Sequence, residues 1–349
     1  MKNVSIMVST LDSGGAEKQA VLLATQMSRQ TNVNLIVLYG DYSEYERNIE
    51  MLLNSTVKVH KLSGNIISKS IKIRQILIES KSDVLLNYLT MPDFVGAIIG
   101  RICGLRVYSG IRSSRLPWGK MLMEIVVHNL LVTGTIYNCY SGADYFGNRG
   151  FKKSKNIVIP NCFQDIAEPI IRSDKKVKTI ITVGRFVSQK DYLTLIKSVS
   201  LLNRHDFRLS IVGYGVMEDQ IKSWINEYGI ADKTDVYIKP NNVSLLEREA
   251  DIYLSTSIFE GTSNSIMEAL NCSLPVVATD VGDNSYLVKD GVNGFLHPVG
   301  DSQGLAGSLS RLLDSLELRN EMGVKSNRNL QENYSMEIFE KRYFGIIES

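Results

Sequence analysis

A chain of 349 residues exceeds what one hydrophobic core usually organises, so two domains are expected, and 44% apolar residues with 7 prolines exclude disordered and fibrous classes. Net charge is only +2, yet residues 1–165 carry 19 Lys and Arg against 12 Asp and Glu, while the remainder carries 20 against 25. The basic half suits an acidic partner, a lipid phosphate or an anionic bilayer surface, and nucleic acid is not expected.

Cys103, Cys139, Cys162 and Cys272 form no C-x-x-C pair and no cluster with His, which fits reduced thiols in the cytoplasm and speaks against a structural zinc. Met1-Lys2-Asn3 leads directly into a strand-like run, so no signal peptide is expected. The longest apolar stretch, MLMEIVVHNLLV (121–132), is too short to span a bilayer and contains Glu124 and His128.

VSIMVST (4–10) reads as a buried strand, followed by a turn containing Gly14 and Gly15 and a helical pattern, KQAVLLATQMSR. NLIVLYG is a second strand, so strand, glycine loop, helix and strand make half of a doubly wound sheet. The two glycines let backbone amides approach a ligand at the helix start, although a structural turn reads the same way. VKVHKLS (57–63) is a strand and SKSIKIRQILIESKS a basic amphipathic helix. DVLLNYLT (83–90) is a strand closed by a turn at Met91-Pro92, with a helix from 93 to about 103. RVYSGIRSS (106–114) runs from strand into loop and places Arg112 at its end. Arg115 to Lys120 and the apolar stretch after them mix cations with large apolar groups. A membrane-interface segment and a core helix both fit, and the core helix is preferred because Trp and Leu pack inward by default. NIVIPNCF (156–163) is a strand end, and the polar QDIAEPIIRSDKKVK after it marks a hinge near 164–177.

The second half restarts the pattern. TIITVGRFVSQKD (179–191) is strand and loop, with Arg185 and Lys190 flanking the loop as two phosphates would require: Arg as a bidentate fork, Lys as a compact charge. Gly213-Tyr214-Gly215 ends another strand. It is no dinucleotide fingerprint, because Glu218 stands where a third glycine belongs. VYIKPNN (236–242) is a strand end at which Lys239 and Pro240 are candidate ligand contacts. ADIYLSTSIF then ends at Glu260, and Gly261, Thr262, Ser263 and Asn264 lead into the helix containing Glu268. Ser263 or Asn264 caps that helix, and its free amides suit a phosphate or a sugar hydroxyl. Two carboxylates eight positions apart, flanking one helix start, face one pocket or, on the plainer reading, are solvated acids. GVNGFLHPVGD (291–301) is a glycine-rich turn, and two further helical patterns close the chain.

E-x7-E continued as EAL-x-x-SLPVVATDVG (260–282) resembles the signature of the retaining group 1 (family 4) glycosyltransferases, as do VGR-x4-K (183–190), IVG-x-G (211–215), the GGAE loop and IPN (159–161). The resemblance implies the GT-B fold: an α/β chain with two doubly wound, Rossmann-like domains facing across a cleft. On that basis residues 1–165 form the acceptor domain, 166–330 the nucleotide-sugar domain, and 331–349 a helix crossing back to the first domain. By the same resemblance Glu268 binds the ribose, Glu260 approaches the sugar, and Gly261 to Asn264 hold sugar hydroxyls or phosphate. Arg185 and Lys190 neutralise the diphosphate, Gly213 lies near the donor, and Lys239 and Pro240 hold the base. Gly14 and Gly15 lie against the diphosphate and the acceptor. Relatives place a His or Arg near the reacting centre where Arg112 stands. Asp191 departs from the pattern, since glycine is common there.

The function implied is transfer of a sugar from a nucleotide-diphosphate sugar, UDP first among nucleotides, to a polyprenyl-diphosphate-linked or growing bacterial surface glycan. Neither metal nor cofactor is expected, since no D-x-D pair is present. The expected place is the cytoplasm, at the inner face of the cell membrane. A nucleotide-sugar epimerase of the same fold and a silent nucleotide-sugar-binding protein are the alternatives.

Overall fold

Apolar runs with no polar alternation need cover on both faces, and in the computed structural model they become the strands of two parallel sheets. The structure describes residues 2–42, 44–112 and 116–348. The chain divides into residues 1–161 with 337–349, and residues 162–336.

The first unit runs β1 (Asn3–Val8), α1 (Gly15–Met27), β2 (Asn32–Val37), α2 (Glu46–Leu53), β3 (Lys58–Lys61), α3 (Ile66–Glu79), β4 (Val84–Asn87) and α4 (Thr90–Ile102). It continues with β5 (Arg106–Ile111), α5 (Trp118–Val126), a π-helical turn (Val127–Leu131), β6 (Gly134–Tyr137), α6 (Tyr140–Gly147) and β7 (Asn156–Val158). Its sheet has the order β3-β2-β1-β4-β5-β6-β7.

The second unit runs β8 (Lys178–Arg185), α7 (Tyr192–Ser200), β9 (Phe207–Tyr214), α8 (Glu218–Glu227), β10 (Thr234–Ile238), α9 (Val243–Glu249) and β11 (Ile252–Ser255). Then come α10 (Asn264–Asn271), β12 (Val276–Thr279), α11 (Asn284–Leu287), β13 (Gly294–His297), α12 (Ser302–Asp314) and α13 (Leu316–Tyr334), and the chain ends in α14 (Met336–Glu348). The second sheet has the order β10-β9-β8-β11-β12-β13. β8 and β9 pair over their whole length, from Lys178 with Phe207 to Arg185 with Tyr214.

Period-two alternation divides the second core between the two faces of its sheet. Ile180, Leu209, Ile211, Ile252 and Leu254 join one cluster, while Ile181, Val212, Tyr253, Val276 and Ala278 join the other. Each fully buried Ile or Leu here contributes roughly 1.5–3 kcal/mol, so both faces hold the strands in place.

α14 packs with the first unit through Phe339, Tyr343 and Ile347, all buried. Its last carbonyls accept from Lys2 Nζ, 2.9 Å from Ile347 O, and from the Arg106 guanidinium. These are the cations a helix C-terminus attracts.

Four sequence expectations change. The polar segment expected to be a hinge near 164–177 is strapped to the second unit. Buried Arg172 donates through Nε to Ala250 O (2.6 Å) and through Nη1 to Ser273 O (2.7 Å), and Ala167 N donates to Asn271 Oδ1 (2.7 Å). Met91-Pro92 is no turn but the first turn of α4, where proline's missing N–H costs nothing. The glycine-rich stretch 291–301 contains the edge strand β13. The stretch read as a core helix, 118–131, is inverted. Trp118 is 76% exposed and Leu130 66%, while Glu124 and His128 are buried. His128 is held by Thr135 Oγ1 (2.8 Å) and Lys152 O (3.0 Å), so local polar partners set the helix's rotation. Arg115, which opened that segment in the sequence reading, lies outside the described residues.

Candidate functional site

The order of the second sheet reverses between β8 and β11, and loops leaving neighbouring strands there diverge, opening a crevice at the carboxyl ends. A cavity of about 600 Å3 occupies this place. Its wall is formed by Val183, Gly184 and Arg185 ending β8, Gly213 and Tyr214 ending β9, and Lys239 and Pro240 after β10. Gln189, Lys190, Glu260, Thr262 to Ser265 and Glu268 also line it.

Two glycines permit the backbone approaches that shape it. A Cβ on Gly213 would stand 1.9 Å from Gly184 O, so any side chain would separate the ends of β8 and β9. A Cβ on Gly282 would stand 2.1 Å from Glu260 O, and φ there is +56°, so Gly282 props the backbone of Glu260 from behind. Asp191 also has a left-handed φ of +45°, which explains why glycine would suit its position. Aspartate tolerates that conformation and recovers stability by capping α7, accepting from Thr194 Oγ1 at 2.6 Å and Thr194 N at 3.2 Å.

The loops after β8 and β11 are tied together. Ile258 N donates to Gln189 O (2.9 Å), Thr256 Oγ1 to Lys190 O (3.0 Å), and Gln189 Nε2 to Phe259 O (2.8 Å). Within that brace Lys190 Nζ lies 2.5 Å from Glu260 Oε1, with side chains only 17% and 9% exposed. Ser257 Oγ donates to the same oxygen at 2.7 Å. Two residues expected to act separately, one on phosphate and one near the sugar, are therefore a partly buried ion pair. Lys190 cancels the carboxylate that would otherwise repel an anionic ligand, and exposed Arg185, with no ion-pair partner among the described residues, adds positive charge to the wall. Lys239, at φ +46°, holds its ammonium 4.7 Å from the Tyr214 ring centroid, where the ring face attracts a cation.

Of the two cap candidates, Ser263 is the residue that caps α10, accepting from Ile266 N at 3.5 Å. The first-turn amides remain available to a ligand. Asn264 and Glu268, four residues apart, share one helix face on the cavity wall. Burial raises the Glu268 carboxyl above its usual range. Glu247, buried in α9, is pushed up to about 8 by burial and by the nearby Glu268 charge.

Gly261 does not line the cavity; its carbonyl accepts from Asp283 N at 3.3 Å, bracing the loop. Gly14, Gly15 and Arg112 belong to the first unit. Gly14 is the N-cap of α1 and Gly15 its first residue, with open space where a Cβ would stand on Gly15. Arg112 directly follows β5, donates from Nη2 to Tyr343 Oη (2.6 Å) and lies 4.4 Å over the Tyr88 ring. Nearby, burial raises both the Asp93 and Glu124 carboxyls, and the Glu124 charge raises Asp93 further. Sequence reasoning missed Gln189, Ser257 and Gly282 as braces of Glu260, and Glu247 beside Glu268. Only Gly282 carried a local signal, a glycine directly after Asp280-Val281 at a strand end.

Three comparisons bear on this geometry. Residues 163–328 match the family described as glycosyl transferases group 1. Over 345 residues, 91% of this chain and 92% of the relative, it is 27% identical to the Campylobacter jejuni N-acetylgalactosamine-N,N'-diacetylbacillosaminyl-diphospho-undecaprenol 4-alpha-N-acetylgalactosaminyltransferase. The fold matches that of Anabaena HepE in complex with UDP at a TM-score of 0.80, with 17% identity and all of both chains covered. It matches the lipopolysaccharide outer core galactosyltransferase WaaB equally well, at 0.80 with 17% identity and 99% of both chains covered. The two doubly wound units are thus those of the GT-B fold.

Proposed function

We propose that the chain is a group 1 glycosyltransferase that moves a sugar from a UDP-sugar to a lipid-linked glycan with retained anomeric configuration. The observation that carries this reading is the wall of the second-unit cavity, where Arg185, the Lys190–Glu260 pair, the start of α10 and Glu268 converge. Arg185, Lys190 and the α10 amides take the charge of the departing diphosphate, an electrostatic role in a preorganised site. Glu268 accepts from the ribose hydroxyls, and Lys239 and Pro240 flank the base. Glu260 stands toward the sugar. The bond from the anomeric carbon to the diphosphate oxygen breaks, and the bond to the acceptor oxygen forms on the same face. The acceptor's proton passes to the departing diphosphate, so no side chain must serve as base.

The Campylobacter relative, whose name specifies a diphospho-undecaprenol-linked acceptor, supports the acceptor class, and the UDP held by HepE supports the donor class. Such an acceptor places the reaction at the cytoplasmic face of a membrane. Cations and helix amides do the neutralising, so neither metal nor cofactor is required. The test is a panel of UDP-sugars offered with and without polyprenyl-diphosphate-linked glycans, in excess EDTA. Sugar transfer that survives EDTA is expected. Abolition by EDTA with rescue by Mn2+ would contradict the mechanism, epimerisation without acceptor would make the chain an epimerase, and binding without turnover would make it a silent binder.

A further inference from the structure

α4 and α5 pack side by side over one face of the first sheet. Their inner residues, among them Val95, Ile99 and Val127, join the core beneath. A surface helix of a globular protein ordinarily turns polar residues outward. α4 does not: its exposed residues are Met91, Phe94, Ile98, Ile102 and Arg101. α5 and its π turn expose Trp118, Leu122, Val126 and Leu130, each four residues after the last, together with Gly119 and Lys120. Two adjoining helices thus present eight large apolar side chains to solvent. A patch of this kind on a soluble surface marks an interaction site.

The charges identify the occupant. The two acids of these helices, Asp93 and Glu124, are buried, and their exposed charged residues, Arg101 and Lys120, are both cations. Lys155 feels the charges of both Lys152 and Arg101, which sets a cationic rim beside the apolar stripe, and Lys152 and Lys153 are exposed. A surface for a second protein would offer both signs of charge for register and specificity. An apolar stripe carrying tryptophan, on helices whose own exposed charges are all cations, matches the headgroup and upper acyl region of an anionic bilayer. Among the described residues no helix is long and apolar enough to cross a membrane, so the contact is interfacial. The geometry points to the outer face of α4 and α5 as the docking surface for an anionic phospholipid bilayer, with Trp118, Leu122, Ile98 and Ile102 entering the interface and Arg101 and Lys120 meeting the lipid phosphates.

The test is co-sedimentation of the full chain with vesicles of phosphatidylcholine alone or with phosphatidylglycerol. Binding to the mixed vesicles is expected, weaker by about tenfold for the neutral ones and falling steeply with salt over a Debye length of about 8 Å. Ile98→Glu with Leu122→Glu should lower the affinity by about tenfold or more, because both side chains are already exposed and the changes leave the core intact. Lys120→Glu with Arg101→Glu should remove the preference for anionic lipid. In a Trp224→Phe background, Trp118 fluorescence should be quenched by brominated lipid. UDP binding, in the other unit, should persist in every variant and serves as the control for folding. No sedimentation with anionic vesicles at low salt overturns the proposal, as do apolar and charge variants that bind like the parent. Self-association that Ile98→Glu with Leu122→Glu abolishes, with no vesicle binding, also overturns it and makes the face an interface between two copies.

Discussion

Each unit reverses its strand order in mid-sheet, between β1 and β4 in the first and between β8 and β11 in the second, yet the two sets of strand ends are built differently. In the second unit the ends open into a cavity whose charged groups are on its wall and held by loop-to-loop hydrogen bonds. In the first, Arg112 is held by Tyr343 from α14 and stacked on Tyr88, with the Asp93 and Glu124 carboxyls, both raised by burial, close behind. Leu89, at the end of β4, adopts φ +75° and ψ 159°, a conformation costly for a residue with a Cβ. One architecture therefore serves two ends. Where charges are paired at a cavity wall they are available to an anionic ligand; where they are packed under a helix they fix that helix.

The largest effect should separate the two arginines. Arg185→Ala should lower kcat by about 10²–10³, the loss typical of deleting a preorganised charge-stabilising group, with little change in melting temperature because Arg185 is exposed. Arg185→Lys should restore only part of it, since a point charge does not reproduce a fork. Arg112→Ala should show the opposite pattern, a loss of stability accompanying any loss of rate. Equal rates for Arg185→Ala and the parent would remove Arg185 from the reaction.

The ion pair sharpens the comparison next. Lys190→Met leaves Glu260, 9% exposed, without its cation, and should cost about 3 kcal/mol in denaturant unfolding. Lys190→Met with Glu260→Gln should regain most of that stability and none of the activity. A double variant as active as the parent would make the pair purely structural.

A pH-dependent effect concerns Glu247. Its carboxyl, pushed up to about 8 in the folded chain, keeps its proton in a range where the unfolded chain, with a carboxyl near 4.5, has lost it. Its contribution to stability is therefore complete below about 4.5 and is lost as pH rises through about 8. The slope between those limits is about 1.4 kcal/mol per pH unit. Unfolding free energies of the parent and Glu247→Gln measured from pH 5 to 8 check this; the variant should lose that part of the slope, and identical slopes would contradict it.

What could be read from the sequence was local. Arg185, Lys190, Glu260 and Glu268 sit within single strand-loop-helix units, where spacing converts directly into geometry: residues ending a strand and residues one turn into the next helix share one strand end. Pairing between those units was not legible. Nothing in the spacing of Lys190 and Glu260, 70 positions apart, announces an ion pair, nor does any periodicity reveal Gly282 behind Glu260. The rotation of α5 was misread for a different reason. That helix is apolar nearly all round, so pattern alone cannot orient it, and the partners that do, Thr135 and Lys152 on His128, come from later elements. The docking of α14 likewise depends on Tyr88 and Arg112, far away in the chain.

The most direct test of the donor site is a calorimetric titration of UDP into the folded chain and into Glu268→Gln. One UDP should bind per chain, and about fivefold more weakly to the variant, which loses about 1 kcal/mol with the charged hydrogen bond to the ribose. No heat of binding to the folded parent, or equal affinity for parent and Glu268→Gln, would contradict the assignment of the second-unit cavity to the nucleotide sugar.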